Sequence, residues 1–367
     1  MNAVAIVLAG GGTAGHTSPL IATAEALRAR ADVELVCVGT PKGLESRVIP
    51  EAGLRLELIT PVPLPRRLTP ELLAVPVRLW QAVGQARTIL TDHHAQVAVG
   101  FGGYVSLPVY LAARLAGVPL VIHEGNAVPG LANRIAARFT PYVATTFPET
   151  RLPHARHVGL PVREQIAGLD RSARRTGARD RFGLPAEGPV LLVSGGSQGA
   201  RSLNTATADA VARLLAARIS VLHVLGTANL TPDIVEASDA ATGATYRPVG
   251  YVDDMAEAYA AADVMLGRAG AGTVMETAMT GLPTIFVPLP HGNGEQARNA
   301  GFLISAGAGV MVADAALDGD RLVAEVSGLL AAPDRLAKMA ATCRQLVPAD
   351  ASAALAQLVL DVAQRRD

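Results

Sequence analysis

The chain repeats itself at long range, and the repeat restricts the possible fold more than any other feature. AIVLAGGGTAGHTSPLIATAEAL, residues 5–27, and VLLVSGGSQGARSLNTATADAV, residues 190–211, follow one plan: a short apolar strand, a glycine turn, then a helix with apolar positions at helical spacing. Downstream, VAVGFGGYVSLPVYLAARLAGVPLVIHEGNAVPG runs strand, glycine loop, helix, Gly-Val-Pro, strand, polar loop, and DVMLGRAGAGTVMETAMTGLPTIFVPLPHGNGEQ repeats that order with Gly-Leu-Pro. Strands alternating with helices imply a parallel sheet covered on both faces, and two copies imply two sheets. The expected fold is α/β: two Rossmann-like, doubly wound parallel-sheet lobes facing a cleft, each with its first glycine turn at a switch point. The lobes are expected at residues 1–160 and 161–347, joined near HVGLPVREQ at 157–165. A last helix, about 348–367, is a candidate to pack back on the first lobe, which sequence alone does not decide.

Several classes of function are disfavoured. Lysine plus arginine equals aspartate plus glutamate, 32 each, so no global positive field favours nucleic acid as a partner. Cys37 and Cys343 lie far apart and make no disulfide framework; the usage fits a reducing cytosol. The run VAIVLA lacks a basic leader and is cut short by glycines, so it reads as a buried strand rather than a signal peptide. No stretch reaches the ~18–20 apolar residues of a spanning helix, so membrane contact would be made from the surface.

A glycine turn that opens a helix offers unpaired amides and the positive end of the helix dipole, which together suit a phosphate. GGGTAG and SGGSQG therefore suggest two anionic groups, although glycines there also allow close helix–sheet packing. GGGTAGHT fits the P-loop frame with His16 in the lysine's place, and the second strand ends Val38-Gly39-Thr40 without the acid that a nicotinamide dinucleotide wants. The dipole should keep His16 neutral, which suits a general base near a bound anion; helix capping or donation to phosphate is the other reading. Glu124, at the end of a strand in HEGN, is a second candidate for acid or base work. Glu276 could accept from a vicinal diol, or could simply favour its helix N-terminus. Gln296 and Asn299 share one helical face suited to sugar hydroxyls, or to an ordinary polar surface. Arg163 could offset diphosphate charge, or face solvent. Asp318-Gly319-Asp320 has the D-x-D form of a metal site but reads better as a turn and N-cap, and His93 and His94 lack partners at ligand spacing; no metal and no cofactor are expected. PRRLTPELLAVPVRLWQAV, 65–83, sets Leu68, Leu72, Leu73, Val77, Leu79 and Trp80 among Arg66, Arg67 and Arg78; such a stretch is usually core, but it also suits an anionic bilayer surface.

Along nearly its whole length the chain resembles the MurG-type glycosyltransferases of the GT-B fold. GGTAGHTSP, GGYVSLP, HEGN, GLPVR, GGSQGARSLN, YVDDM, RAGAGTVMETA, GLPTIFVPLP and Q-x-x-NA stand in family order. The resemblance implies transfer of N-acetylglucosamine from UDP-N-acetylglucosamine to the 4-hydroxyl of lipid-linked muramyl-pentapeptide, lipid I, giving lipid II in peptidoglycan synthesis. It implies a donor site in the second lobe, with Ser197, Gln198 and the turn amides on the diphosphate and Arg163 nearby. Val252 would meet the uracil, Met255 would lie against the nucleoside, and Ala271, Gly272, Thr273, Val274, Met275 and Glu276 would line the nucleotide pocket. Gln296 would read sugar hydroxyls, with Asn299 beside it. Thr13, Ala14, Gly15, Tyr104, Ser106 and Asn126 would face the acceptor diphosphate and the transferred sugar. The implied reaction is a metal-free inverting displacement with His16 as first and Glu124 as second choice of base. The implied location is peripheral, on the cytoplasmic side of the cell membrane, with the Leu/Trp/Arg stretch as the contact. Gly125, Leu160 and Glu295 depart from the family's HEQN, GNPVR and QQ or HQ patterns. Rival readings are a UDP-N-acetylglucosamine epimerase of the same plan, a non-catalytic membrane adaptor and, third, an oxidoreductase.

Overall fold

The computed structural model describes residues 3–62, 74–291 and 293–365. It contains two compact units: residues 1–163 with 350–367, and Glu164–Ala349.

The first unit is built on seven parallel strands, β1 (Val4–Ala9), β2 (Val33–Gly39), β3 (Arg55–Leu58), β4 (Val97–Gly100), β5 (Leu120–Glu124), β6 (Tyr142–Thr145) and β7 (Ala155–His157), which lie side by side in the order β3-β2-β1-β4-β5-β6-β7. β1 (Val4–Ala9) and β4 (Val97–Gly100) are central neighbours and almost wholly buried, which is why both read as unbroken apolar runs rather than as alternating patterns. β2 (Val33–Gly39) lies on the other side of β1. β5 (Leu120–Glu124) flanks β4. The reversal of strand order between β1 and β4 makes a switch point, flanked by the loops that open α1 (Ala14–Arg28) and α4 (Gly103–Ala116).

The second unit holds another seven strands, β8 (Val190–Ser194), β9 (Ser220–Val224), β10 (Ala237–Ser238), β11 (Thr245–Val249), β12 (Val264–Gly267), β13 (Thr284–Phe286) and β14 (Val310–Met311), in the order β10-β11-β9-β8-β12-β13-β14; among the described residues only the short edge strand β10 is antiparallel. β8 (Val190–Ser194) and β12 (Val264–Gly267) are the central pair, and their loops open α8 (Arg201–Ala216) and α10 (Ala271–Thr280). The long-range echo is thus an echo of topology.

Gly-Val-Pro and Gly-Leu-Pro mark the same device in both units. Gly117 ends α4 at φ 66° and Gly281 ends α10 at φ 62°, a left-handed turn that glycine adopts without the Cβ clash. The next amides fold back, Val118 N–H to Ala113 O and Leu282 N–H to Thr277 O at 2.9 Å each, and the prolines prevent further helix.

Residues 351–364 form α14 (Ala351–Gln364), which returns to the first unit. Leu355, Ala356, Val359, Leu360, Val362 and Ala363 join Leu20, Ile21, Ala24 and Leu27 of α1 in one core. Ser352 Oγ ties the helix start to Val162, accepting from its N–H and donating to its carbonyl. The apolar surface of this segment is therefore spent on packing.

Candidate functional site

The four helices at the two switch points start on Thr13, Gly102, Ala200 and Gly270, and none receives a hydrogen bond from the side chain of that residue. By contrast, Asp170, Asp254 and Asp318 cap α7 (Arg171–Arg181), α9 (Met255–Ala261) and α12 (Gly319–Leu330). Asp318 of the D-x-D tripeptide is thus an N-cap, and Asp320 pairs with Arg213. Uncapped starts leave amide donors and the dipole available to an anion.

In the first unit, Thr13, Ala14 and Gly15 are exposed at the start of α1 and His16 is half-buried behind them. His16 Nδ1 lies 3.1 Å from the Gly11 carbonyl oxygen and 3.1 Å from Thr13 Oγ1. A carbonyl oxygen only accepts, so the geometry puts the hydrogen on Nδ1 and the lone pair of the neutral ring on Nε2. Burial lowers the His16 pKa from its ordinary value, against smaller raising effects of the Gly11 bond and the Glu45 charge. The residue is therefore a neutral imidazole with its acceptor nitrogen turned away from the loop that holds it.

Glu124 is buried, with both oxygens engaged. Oε1 accepts from Asn126 N–H at 2.9 Å, and Oε2 from Gly130 N–H and Asn133 Nδ2 at 2.9 Å each. Burial raises its pKa, opposed by these donors. Asn133 in turn accepts from Tyr110 Oη at 2.6 Å, so the carboxylate anchors a network that shapes the HEGN loop. Asn126 is half-buried on that loop, and its carbonyl accepts from Thr150 Oγ1. Tyr104 is half-buried with its hydroxyl 3.1 Å from Thr40 Oγ1. Ser106 requires a correction: it is fully buried and donates to Ala9 O and Gly102 O, so it splices two loops together and does not face a substrate. Arg163 is half-buried at the end of the first unit's main segment.

In the second unit, Ser197 and Gln198 are exposed at the tip of the glycine turn. Gly199 N–H closes the turn on Gly196 O at 2.9 Å, and Asn229 Nδ2 braces it through Gln198 O at 3.0 Å and Leu225 O at 2.9 Å. Arg268 couples the turn's helix to the next loop: it donates to Ser202 Oγ in the first turn of α8 and pairs with Asp314. Sequence reasoning passed over Asn229 and Arg268; their partners Gln198, Ser202 and Asp314 are remote in the chain, so no local pattern marks them.

On α10, Gly272, Thr273 and Glu276 are half-buried and Ala271 is buried at the helix start. Val274 and Met275, expected to line a nucleotide pocket, turn into the core with at most 1% exposure, so their side chains offer nothing to a ligand. Glu276 Oε2 accepts from Tyr259 Oη at 2.7 Å. Burial, together with the Glu276 charge, pushes the Tyr259 pKa well above its ordinary value, keeping it a donor. Val252 is buried and Met255 half-buried where β11 (Thr245–Val249) runs into α9. On α11 (Glu295–Ser305), Gln296 Oε1 accepts from Leu289 N–H at 2.9 Å. Asn299 is another correction, because it is fully buried and donates to Ala269 O, holding the loop before α10 instead of facing a sugar.

The Leu/Trp/Arg stretch divides. Arg66, Arg67, Leu68, Leu72 and Leu73 lie outside the described residues. On α3 (Val75–Asp92), Leu79 packs on the core while Val77 and Trp80 are 71% and 69% exposed and Arg78 is exposed beside them.

The glycosyltransferase family 28 N-terminal domain matches residues 6–145 and the family 28 C-terminal domain residues 190–355. A Cutibacterium acnes protein described as UDP-N-acetylglucosamine–N-acetylmuramyl-(pentapeptide) pyrophosphoryl-undecaprenol N-acetylglucosamine transferase is 57% identical over 370 residues, covering 99% of each chain. The crystal structure of Acinetobacter baumannii MurG superposes with a TM-score of 0.76 at 27% identity, covering 98% of this chain and 100% of that one. A UDP-GlcNAc 2-epimerase from Neisseria meningitidis, bound to UDP-GlcNAc, shares the fold with a TM-score of 0.67, at 13% identity over 98% of this chain and 100% of that one.

Proposed function

The chain belongs to glycosyltransferase family 28, and from that premise we propose that it moves N-acetylglucosamine from UDP-N-acetylglucosamine to the 4-hydroxyl of the muramyl sugar of lipid I, giving lipid II for peptidoglycan synthesis. The observation that carries the reading is 57% identity sustained over 99% of both chains with a transferase of that description.

The reaction is a single inverting displacement. The acceptor O4 attacks the anomeric carbon, the bond from that carbon to the diphosphate oxygen breaks, and its electron pair leaves with UDP. The hydroxyl proton passes to His16 Nε2. Charge grows on the departing diphosphate, and fixed amide donors stabilise it most where it grows most. We assign that task to the turn at Ser197 and Gln198 and the open start of α8, with Glu276, held by Tyr259, on the ribose diol and Gln296 on the sugar ring. The first unit takes the acceptor through Thr13, Ala14, Gly15, Tyr104 and Asn126, and Arg163 offsets diphosphate charge. Glu124 shapes the acceptor loop, leaving His16 as base. No metal is assigned a part, since Asp318 is engaged in capping α12. Exposed Trp80 and Val77 with Arg78 suit peripheral contact with an anionic cytoplasmic leaflet.

The test incubates the protein with radiolabelled UDP-N-acetylglucosamine and a short-chain lipid I analogue in the presence of chelator. Label is expected in the lipid. Label only after divalent metal is restored refutes the metal-free mechanism, and its absence under both conditions refutes the assignment. Turnover of the sugar nucleotide without any lipid favours an epimerase.

A further inference from the structure

Gly11 and Gly12 share one peptide group, and both of its polar ends are taken. Its carbonyl oxygen accepts from His16 Nδ1–H at 3.1 Å, while its N–H donates to Glu45 Oε2 at 2.8 Å. Glu45, on α2 (Glu45–Glu51), has no exposed surface. Its other oxygen accepts from Thr40 N–H at 3.0 Å and Thr40 Oγ1 at 2.7 Å, so three donors converge on the group, the pattern that suits a carboxylate. Thr40 Oγ1 in turn sits 3.1 Å from the Tyr104 hydroxyl. The approach depends on glycine, because a Cβ on Gly11 would come within 2.6 Å of the Glu45 carboxyl.

The two echoed turns are therefore not equivalent. In the second, the exposed tip at Ser197 and Gln198 has no internal carboxylate among its hydrogen-bond partners within the described residues. In the first, an internal carboxylate already occupies the Gly12 amide, and the peptide passes its influence to the imidazole on the far side.

We propose that Glu45 is a positioning residue for the transfer reaction, fixing the His16 tautomer and strengthening its Nε2 as a base through the Gly11–Gly12 peptide. The proposal rests on the reading of His16 as the general base. Hydrogen bonds in a chain polarise one another. A carboxylate on the amide end draws electron density onto the Gly11 oxygen, which tightens the Nδ1–H bond and favours the imidazolium formed when Nε2 accepts the acceptor's proton. Of the ionisable groups around His16, Glu45 acts across Gly11, and Tyr104 lies against Gly12 with its hydroxyl on Thr40. Glu124 stands beyond Gly102 and Asn133, its oxygens satisfied by donors from Asn126, Gly130 and Asn133. A nearby negative charge raises a histidine pKa, so removing it moves the acid limb of activity to lower pH and weakens the base.

The experiment is Glu45→Gln in the full chain, assayed for transfer to a lipid I analogue across pH. The expected result is an acid limb of kcat/KM lower by about 0.5–1 pH unit and a plateau kcat reduced about 10-fold, with donor KM within about twofold of wild type. His16→Ala should lose about 10²-fold or more in kcat, and Glu45→Gln added to it should lose no more. An unmoved acid limb in Glu45→Gln overturns the relay, whatever happens to turnover. Near-normal turnover in His16→Ala overturns the base assignment instead, and the absence of transfer by the wild-type chain overturns the function. Should Glu45→Gln fail to fold, nitrogen NMR of wild-type His16 decides: the relay requires the Nδ1–H tautomer, and an Nε2–H ring refutes it.

Discussion

Replacing Glu124 with glutamine separates the two carboxyl and imidazole candidates for the base. The substitution keeps shape and removes charge, but the carboxylate is ringed by donors: Asn126 N–H, Gly130 N–H and Asn133 Nδ2, with the Asn126 side chain beside them. A glutamine amide has one acceptor oxygen. Placing that oxygen toward Gly130 and Asn133 keeps two bonds, takes the acceptor from Asn126 N–H and sets the new NH2 group against it, so two donors stand unpaired in a site that is 3% exposed. At about 1–3 kcal/mol for each orphaned donor, the loss is about 3 kcal/mol. For a unit of this size that corresponds to a thermal midpoint lower by about 6–12 °C. Turnover at a temperature where the variant is folded should fall modestly, because the loop carrying Asn126 is loosened, and the acid limb of the pH–rate profile should stay where it was. Calorimetry and a pH series of initial rates measure both. A variant with the wild-type midpoint and turnover reduced about 10³-fold would show that Glu124 acts chemically and that the reasoning from its hydrogen bonds is wrong.

Burial holds His123 and His223 neutral, lowering each pKa from 6.5 to about 4. The stability they protect is present above pH 6.5 and lost as pH falls towards 4, at up to about 1.4 kcal/mol per pH unit for each histidine; denaturant midpoints at pH 7 and pH 5 should show the loss, and His123→Gln should flatten part of it. Asn229→Ala removes the brace from Gln198 O and Leu225 O and should raise donor KM several-fold while acceptor KM holds, so unchanged donor KM in steady-state assays would free the turn from that dependence. Trp80→Ser should leave the thermal midpoint and turnover of a soluble acceptor analogue unchanged, since the ring is 69% exposed, but should reduce sedimentation with phosphatidylglycerol vesicles; undiminished sedimentation would remove Trp80 from the membrane contact.

Strand and helix order was legible because a strand buried on both faces and a helix after a glycine turn leave different periodicities, and because Gly-Val-Pro and Gly-Leu-Pro are true helix endings. The positions of the loops followed from that order. The directions of side chains did not. Ser106 and Asn299 sit one helical phase away from the surface that their motifs suggest, and a change of phase is set by which face the sheet covers. Glu45 gave no signal at all, since GLE after a strand resembles any helix start; its importance arises because β2 lies beside β1, which brings Thr40 and Glu45 under Gly12.

α14 has a consequence for synthesis. Ser352 meets Val162 at a separation of 190 positions in the chain, and the second unit lies between them in sequence. At about 5–20 residues per second, a ribosome needs about 10–40 s to cover that distance. Through that interval the groove that Leu355, Val359 and Leu360 later fill stands open on α1, an oily strip in a half-finished fold. The nascent amino-terminal half is completed only once the second unit has been made and this later helix reaches α1.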